Sequence, residues 1–329
     1  MSDENKTRPG VIKLYGMGGA GINLVKHFLS SNGKSEPGHA IPQLIFGDTS
    51  HSNFTPDIPR ESCFTPKSTD GSGKVRSQNY DPIVETVGQI VEQVPPGDLN
   101  VVVFSGSGGS GSVLGPVLIG ELLSRGASTV GIVIGSDESL IAASNTLKTL
   151  KSLEGVAATT QQPVVIFYDQ NSAQTKRSSI DQTAFHVIST LSILASRQNA
   201  ELDTMDVQNW VQYNRVTAMP PRLSFLDVYH SNEEADEQTQ TISALSLLEN
   251  PDAPTISLSP DYHAAGYFPK LAADSPKIYH YLISFANVPR FVSQLQERVV
   301  ALENQRDSRA VHESIVNKRD AVNERGLVL

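Results

Sequence analysis

A run of glycine and serine at residues 105–112 constrains the fold more than any other segment. The apolar residues 101–104 before it predict a buried strand, and the apolar segment 113–125 after it predicts a helix. A glycine-rich turn between a strand and a helix points backbone N–H groups at an anion, and the helix dipole adds positive charge. The run therefore predicts a nucleotide phosphate site. A flexible Gly/Ser linker, the alternative, would lack such flanking elements.

Composition excludes several classes of protein. The 329 residues carry a formal net charge of −9, which argues against a general nucleic-acid binder. No run approaches the roughly 20 apolar residues that span a bilayer. The polar first nine residues predict no secretory signal, and the single cysteine, Cys63, fits a reducing cytoplasm. None of the histidines forms a pair with the sequence spacing of metal ligands, so no zinc site is expected.

Strands and helices alternate over the first 200 residues, which predicts a mostly parallel sheet with helices on both faces. Residues 50–79 are rich in proline, serine, threonine, aspartate and glycine and predict loops. Predicted strands cover 11–15, 43–46, 101–104, 129–134 and 163–168, the last followed by a polar loop at 169–179. Predicted helices cover 21–30, 82–94, 113–125, 136–153 (with Ser136 or Asp137 as its cap) and 180–195.

The pattern changes after residue 200. Strand candidates of mixed polarity lie at 210–218, 255–258 and 279–286, and residues 233–237 form an acidic loop or helix start. Apolar spacing predicts an amphipathic helix over 288–302, with a highly charged continuation to 323.

A second glycine-rich turn lies near the N-terminus. Residues 16–21 read G-M-G-G-A-G, which satisfies G-x-G-x-x-G after a strand and before a helix. Asn23, one turn into that helix, offers an amide to a base or ribose, although an exposed helical asparagine is equally consistent. One nucleotide domain seldom has two such loops, so the pair favours a nucleoside triphosphate held from both sides.

Two carboxylates follow the fifth predicted helix. Asp203 and Asp206 lie three residues apart, so both face one way on a starting helical turn. A carboxylate there can polarise a water for attack on a phosphate. The alternative is that Asp203 caps a helix running through Val207 and Trp210.

These three segments together resemble the tubulin/FtsZ superfamily of filament-forming GTPases, and most closely its phage tubulin-like proteins of the spindle-forming, phage-centring type. The resemblance implies an α/β fold: a parallel-sheet GTPase domain at 1–179, a long central helix at 180–200, a smaller C-terminal α+β activation domain at 201–287, and a terminal helix and tail at 288–329. The chain departs from the family's glycine signature at Ser107, Ser110 and Val113, which marks a divergent member.

The resemblance also implies the site. Asp203 and Asp206 would be catalytic, acting on the nucleotide of the neighbouring subunit. Asp181 is placed where the family meets guanine, although a first-turn acid favoured by the helix dipole is equally consistent. Either Asp169 or Asn171 would contact ribose or base. No side chains would form a dedicated metal site, and Mg²⁺ would be held through water and hydroxyls. The remaining expected nucleotide contacts are Met17, Gly18, Gly19, Ala20, Asp48, Thr49, Gly71, Gly73, Ser107, Gly108, Gly109, Ser110, Gly111 and Ser112.

The function implied by the resemblance is a GTPase that binds GTP or GDP and assembles head to tail with copies of itself. It would contact neither nucleic acid nor membrane directly, and it would position phage DNA or particles in the host bacterial cytoplasm. Two alternatives remain open at this point. One is an NAD(P)-dependent oxidoreductase that uses the first glycine loop with Asp48 on the ribose, and the other is a nucleotide-gated scaffold that does not hydrolyse. The tail at 312–329 either docks on a neighbouring subunit or stays solvated.

Overall fold

One continuous sheet of ten strands organises the chain. The computed structural model describes residues 8–268, 276–309, 324, 325 and 327. The strands lie side by side in the order β3-β2-β1-β4-β5-β6-β7-β10-β8-β9. Their bounds are β1 Val11–Met17, β2 Ile41–Gly47, β3 Cys63–Phe64, β4 Leu99–Ser105, β5 Thr129–Ser136, β6 Val164–Asn171, β7 Leu223–Tyr229, β8 Thr241–Leu248, β9 Tyr262–Tyr267 and β10 Tyr279–Ser284.

The seven strands from β3 to β7 are parallel to one another. Helices cover both faces of this part, which is why nearly every residue of β1, β4 and β5 is buried. The order of the strands reverses between β1 and β4. In open parallel sheets, ligands bind at the carboxyl ends of the strands beside such a switch point. The topology therefore directs attention to the turns that follow β1 and β4.

The helices divide between the two faces. Helices α1, α5 and α6 pack on one apolar cluster, and α2, α3, α4 and α8 pack on the other. Within the described residues, none of the helices is both long and apolar enough to cross a membrane. The bounds are α1 Gly18–Val25, α2 Tyr80–Gln93, α3 Gly111–Ser124, α4 Leu140–Thr160, α5 Arg177–Leu194, α6 Thr204–Val211, α7 Asn232–Asp236 and α8 Asn287–Arg309.

The far end of the sheet changes direction. Strand β10 runs antiparallel to both β7 and β8, while β9 runs parallel to β8. Two of the three strands predicted here are wrong. Residues 210–218 enter no strand because Val207, Trp210 and Val211 are spaced as the buried face of α6. Residues 255–258 also lie outside the strands. Strand β10 confirms the prediction at 279–286, whereas β7, β8 and β9 were missed.

Several boundaries also differ from the sequence prediction. Strand β5 continues through Ser136, so α4 starts later and is capped by Ser139, whose hydroxyl accepts from the N–H of Ala142. Strand β6 continues through Asn171 and α5 begins at Arg177, so sheet and helix replace the two ends of the predicted loop at 169–179. The loops at 50–79 are confirmed apart from two short 3-10 turns and β3. Helix α8 confirms the predicted amphipathic helix, and its expected continuation at 310–323 lies outside the described residues.

Candidate nucleotide site

The two glycine loops meet at the switch point of the sheet. Gly18 follows β1 and Gly111 follows the serine-rich turn after β4. A Cβ on Gly18 would lie 2.7 Å from the backbone nitrogen of Gly111, and a Cβ on Gly111 would lie 2.7 Å from the carbonyl oxygen of Met17. Gly18 also has φ +73°, which favours glycine. Only glycine at both positions lets the starts of α1 and α3 come this close together.

The loops after β2 and β3 complete the edge of this site through hydroxyl groups. The Thr49 hydroxyl lies 2.5 Å from that of Ser110 and 3.1 Å from that of Ser72. The Asn79 amide donates to the Ser72 hydroxyl at 3.0 Å, and the N–H of Gly71 donates to the Thr49 carbonyl at 2.8 Å. Three loops that are distant in sequence are therefore held in one hydrogen-bonded cluster.

The loops enclose a cavity of about 430 Å³, which we call the phosphate cradle. Ten of the predicted nucleotide contacts line it: Met17, Gly18, Gly19, Ala20, Asp48, Gly71, Gly108, Gly109, Ser110 and Gly111. Five lining residues were missed from the sequence: Ser50, Ser52, Asn53, Ser72 and Ser105. Ser105 ends β4 and begins the glycine/serine run itself. The other four lie in the loops at 50–79, and only the chemistry of short hydroxyl and amide side chains after a strand could have suggested them.

Asp48 is the only ionisable residue that lines the phosphate cradle in the described chain. Its side chain is 2% exposed. One carboxylate oxygen accepts from the N–H of Thr49 at 2.6 Å, and the other accepts from the Asn53 amide at 2.5 Å. Both oxygens are thus already engaged, which does not suit the ribose contact expected in an oxidoreductase. The cradle relies on backbone N–H groups and two helix N-termini for its positive potential.

Four other predicted contacts lie beside the cradle and not in its wall. Thr49 is fully buried and joins the hydroxyl cluster. Ser112 is fully buried and donates to the carbonyls of Gly108 and Gly109, so its side chain fastens the loop from behind. Ser107 donates its N–H to the Ser105 hydroxyl. Gly73 is exposed with φ +50°, in open space on the loop at 65–79 that follows β3, which we call the third loop.

Two of the residues expected to meet base or ribose lie on neighbouring helices, Asn23 on α1 and Asp181 on α5. The side chains of Phe28 and Phe185 stack with ring centroids 4.9 Å apart, and His27 touches the same Phe185 ring. Because α1 and α5 both begin at the carboxyl edge of the sheet, Asn23 and Asp181 each lie one turn closer to that edge than this contact. Both are exposed.

Asp169 and Asn171 are among the last three residues of strand β6. Burial raises the pKa of Asp169, whose carboxylate accepts from the N–H of Gln170. The side-chain oxygen of Asn171 is buried and has no hydrogen-bond partner among the described residues. An orphaned acceptor of this kind suits a ligand donor such as a ribose hydroxyl or a guanine N–H.

Asp203 and Asp206 form a capping box at the start of α6. The Asp203 carboxylate accepts from the N–H groups of Met205 and Asp206, and Asp206 accepts in return from the N–H of Asp203. The structure therefore confirms that Asp203 caps the helix that runs through Val207 and Trp210. Asp206 also accepts from the Tyr262 hydroxyl at 2.9 Å, and burial together with this bond raises the pKa of Tyr262 to about 12.

The two aspartates lie at the opposite end of the central helix from the phosphate cradle. Helix α5 begins at the carboxyl edge of the sheet and runs for 18 residues, which spans about 27 Å at 1.5 Å per residue. Asp203 instead lines a separate groove of about 970 Å³ with residues 194, 195, 197–202, 204 and 207 and Asp98. The predicted catalytic carboxylates therefore cannot reach the cradle of their own subunit.

Comparison with known proteins matches both parts of the chain. Residues 11–172 match the GTPase domain of the Tubulin/FtsZ family, and residues 202–288 match the C-terminal domain of phage tubulin-like proteins. The phage tubulin-like protein of Pseudomonas phage PhiPA3 is 32% identical over 267 residues, covering 80% of this chain and 84% of that protein. The corresponding protein of Pseudomonas phage phiKZ is 29% identical, covering 78% and 79%.

Solved structures give the same result. A protofilament of TubZ from bacteriophage PhiKZ superposes with a TM-score of 0.86 at 27% identity, covering 97% of this chain and 99% of that one. The GDP complex of the phage tubulin PhuZ superposes with a TM-score of 0.85 at 25% identity, with the same coverage. These similarities confirm the resemblance that the three motifs predict, and they leave no support for the oxidoreductase alternative.

Proposed function

The chain belongs to the phage tubulin-like proteins of the tubulin/FtsZ family, and we propose that its GTPase site is completed only where two subunits meet. It is a filament-forming GTPase that binds guanine nucleotide in its N-terminal domain. The observation that carries the proposal is the separation of the phosphate cradle from Asp203 and Asp206 by the length of α5.

GTP would lie over the carboxyl ends of β1 and β4. Its phosphates would be bound by N–H groups of 17–21 and 107–112, which begin α1 and α3. The orphaned acceptor of Asn171 and the carboxyls of Asp169 and Asp181 are the candidates for ribose and guanine, because guanine offers N–H donors where adenine offers an acceptor.

The residues around the cradle fit a magnesium ion that is held mainly by the nucleotide. Among the described residues, no group of three or more His, Cys, Asp or Glu could hold a metal. The hydroxyls of Thr49, Ser72 and Ser110 form the nearest oxygen cluster, which would hold the ion directly or through water. Bound Mg²⁺ would neutralise developing charge on the phosphates.

The neighbouring subunit would supply the hydrolytic half of the site. Asp203 has one carboxylate oxygen in the cap and is exposed, and Asp206 is held by Tyr262 and by a backbone N–H. A head-to-tail contact would bring this pair to the γ-phosphate of the next cradle, where a carboxylate orients and polarises the attacking water. Hydrolysis would then follow assembly.

A contact between two different faces of identical subunits propagates into an open filament. Nucleotide state would therefore be tied to the age of each contact in the filament. We propose that such filaments position phage DNA or particles in the cytoplasm of the host cell. The support is that the relatives are phage proteins and that their solved structures include a protofilament and a filament.

Replacement of one carboxylate tests the proposal. Asp206→Asn keeps the size of the side chain and one acceptor oxygen for the N–H of Asp203, while its amide nitrogen replaces the oxygen that accepts from Tyr262. Because the negative charge is removed, we expect phosphate release to fall at least about a hundredfold while sedimentable filaments persist. The matched control is Glu233→Gln, which neutralises an exposed acid in the first turn of α7 and should leave turnover within about twofold. Unchanged turnover in Asp206→Asn would overturn the assignment.

A further inference from the structure

One face of helix α4 is polar where it lies behind the phosphate cradle. Asn145, Thr149 and Ser152 are spaced i, i+4 and i+7, so they form one stripe along the helix. Asn145 is 6% exposed, and Thr149 is fully buried. Polar groups inside a protein are normally committed to specific partners, and the partners of this stripe lie on the two loops of the cradle.

The two N–H donors of the Asn145 amide face three backbone carbonyls, so one of the donors is shared. Its Nδ2 lies 3.0 Å from the carbonyl oxygen of Lys74 on the third loop. The same atom lies 3.2 Å from the carbonyl oxygen of Ser107 and 3.4 Å from that of Gly108, both on the serine-rich turn. A single side chain therefore links the two loops that would surround the terminal phosphate.

The direction of these bonds matters for the ligand. In a trans peptide the C=O and the following N–H point in opposite directions. Drawing the carbonyls of Ser107 and Gly108 toward α4 turns the N–H groups of Gly108 and Gly109 away from it. The Ser112 hydroxyl donates to the carbonyl of Gly109 on the protein side of the loop, so the N–H of Ser110 points in the opposite direction, away from the Ser112 hydroxyl. None of these three N–H groups has an acceptor within the described residues.

The rest of the stripe anchors the third loop. Arg76 donates to the carbonyl oxygen of Asn145, to the Thr149 hydroxyl and to the Ser152 hydroxyl. Thr149 also donates to the carbonyl oxygen of Gly106 at 2.8 Å. Together with the bond from Asn145 to the Lys74 carbonyl, the bonds of Arg76 hold a loop in which Lys74 has a left-handed φ of +65°, which costs a non-glycine residue about 1 kcal/mol or more.

We infer that Asn145 is a positioning residue for GTP binding and hydrolysis, which fixes the direction of the N–H groups in the phosphate cradle without touching the nucleotide. The inference rests on the proposed function, since it assigns Asn145 to the same site. Preorganised N–H groups meet the phosphate charge without reorientation on binding. A cradle without Asn145 would bind the base and ribose as before but would lose affinity for each phosphate.

The test compares nucleotides that differ only in phosphate number. Asn145→Leu keeps the approximate volume and helix propensity of the side chain but has no donor. We expect its dissociation constant to rise about tenfold to a hundredfold for GTP, by a smaller factor for GDP, and less than about twofold for guanosine. The affinities are measured by fluorescence competition in Mg²⁺ buffer with the full-length chain.

Thr146→Val is the matched control. Thr146 is the next residue on α4, is fully buried, and bonds the backbone of Ser136 and Ala142 but no cradle loop. We expect it to lower the melting temperature comparably and to leave all three affinities unchanged. If Asn145→Leu does not fold, Asn145→Ala takes its place, because alanine has no donor and favours a helix.

Two results would overturn the inference. One is wild-type affinity of the Asn145 variants for GTP, and the other is an equal loss for guanosine and GTP, which would mean general destabilisation. Failure of the proposed function would look different. In that case the wild-type chain would not bind GTP, or the Asp206→Asn variant would hydrolyse GTP at the wild-type rate.

Discussion

The two halves of the sheet carry sites that are formed by different kinds of chemical group. Around the switch point between β1 and β4, the phosphate cradle is made of backbone N–H groups, glycines and hydroxyls, with Asp48 as its only charged lining residue in the described chain. In the second half, from β7 to β9, the important hydrogen bonds are made by side chains. There Asp206 is held by Tyr262 of β9, and His280 of β10 is bonded to Ser246 and Asn232.

This difference explains how each half responds to change. A site built from backbone groups depends on how closely two loops approach, so it is sensitive to a single added methyl group and insensitive to pH. A site built from carboxylates and imidazoles tolerates small changes of shape but depends on the charge of each group. The two halves should therefore fail under different perturbations.

The largest effect is expected from a methyl group in the cradle. In Gly18→Ala the new Cβ would meet the Gly111 nitrogen at 2.7 Å, and the backbone would keep φ +73°. The starts of α1 and α3 must then separate, so we expect GTP affinity to fall by at least about a hundredfold. Equilibrium binding of a fluorescent GTP analogue measures this effect.

Gly33→Ala separates the close contact from backbone strain. Gly33 has φ +70°, close to that of Gly18, but a Cβ there would meet nothing within 4 Å. Alanine at this position carries the same cost of a left-handed backbone, about 1 kcal/mol, and should leave GTP affinity unchanged. Equal losses in both variants would contradict the close-approach explanation.

A smaller effect is expected in the second half at low pH. His280 is 0% exposed, and burial together with the charge of His263 lowers its pKa to about 4 from 6.5. Between those values the unfolded chain binds a proton that the folded chain excludes, so stability falls as pH drops below 6.5 and stops falling near 4. We expect a loss of about 1–2 kcal/mol between pH 7 and pH 5, measured by urea unfolding.

The same titration in His280→Gln identifies the group responsible. Glutamine retains a donor and an acceptor for Ser246 and Asn232 but does not titrate in this range, so its stability should change less between the two pH values. His27→Gln, at an exposed histidine, should behave as the wild type does. A pH dependence that persists in His280→Gln would assign the effect to another group.

The sequence predicted the cradle better than the second half, for a physical reason. Both glycine loops follow apolar strands directly, so local pattern alone placed Gly18 and Gly111 in the site. Strands β7 and β10 pair across some 50 residues of intervening chain, and their mixed polarity carries no local signal of that partner. The α6 segment was assigned both as a strand and as a capped helix, and the buried contact from Trp210 Nε1 to the Tyr281 carbonyl decides in favour of the helix.

Residues that act from a distance along the chain were not predictable. Asn145 is an ordinary asparagine within a helix, and it reaches carbonyls 37, 38 and 71 residues away only because the sheet brings α4 behind the cradle. Ser52 and Asn53 were missed for the same reason. Asp203 and Asp206 were predictable as a pair, but their distance from the cradle required the course of α5.

The central claim, that neighbouring subunits share one GTPase site, can be tested by mixing two inactive variants. Gly18→Ala subunits would keep Asp203 and Asp206 but have a damaged cradle, while Asp206→Asn subunits would keep the cradle but lack the acid. Neither should release phosphate alone. Pelleting of the same reactions measures whether both enter the filaments. If Gly18→Ala subunits stay in the supernatant, Asn145→Leu subunits replace them at a GTP concentration that saturates only the intact cradle.

An equal mixture should recover about a quarter of the wild-type rate of phosphate release, because one contact in four would join an intact cradle to an intact acid. If each subunit instead hydrolysed GTP with its own aspartates, no pairing of these variants would restore activity. Co-assembled filaments that remain inactive would therefore contradict the account.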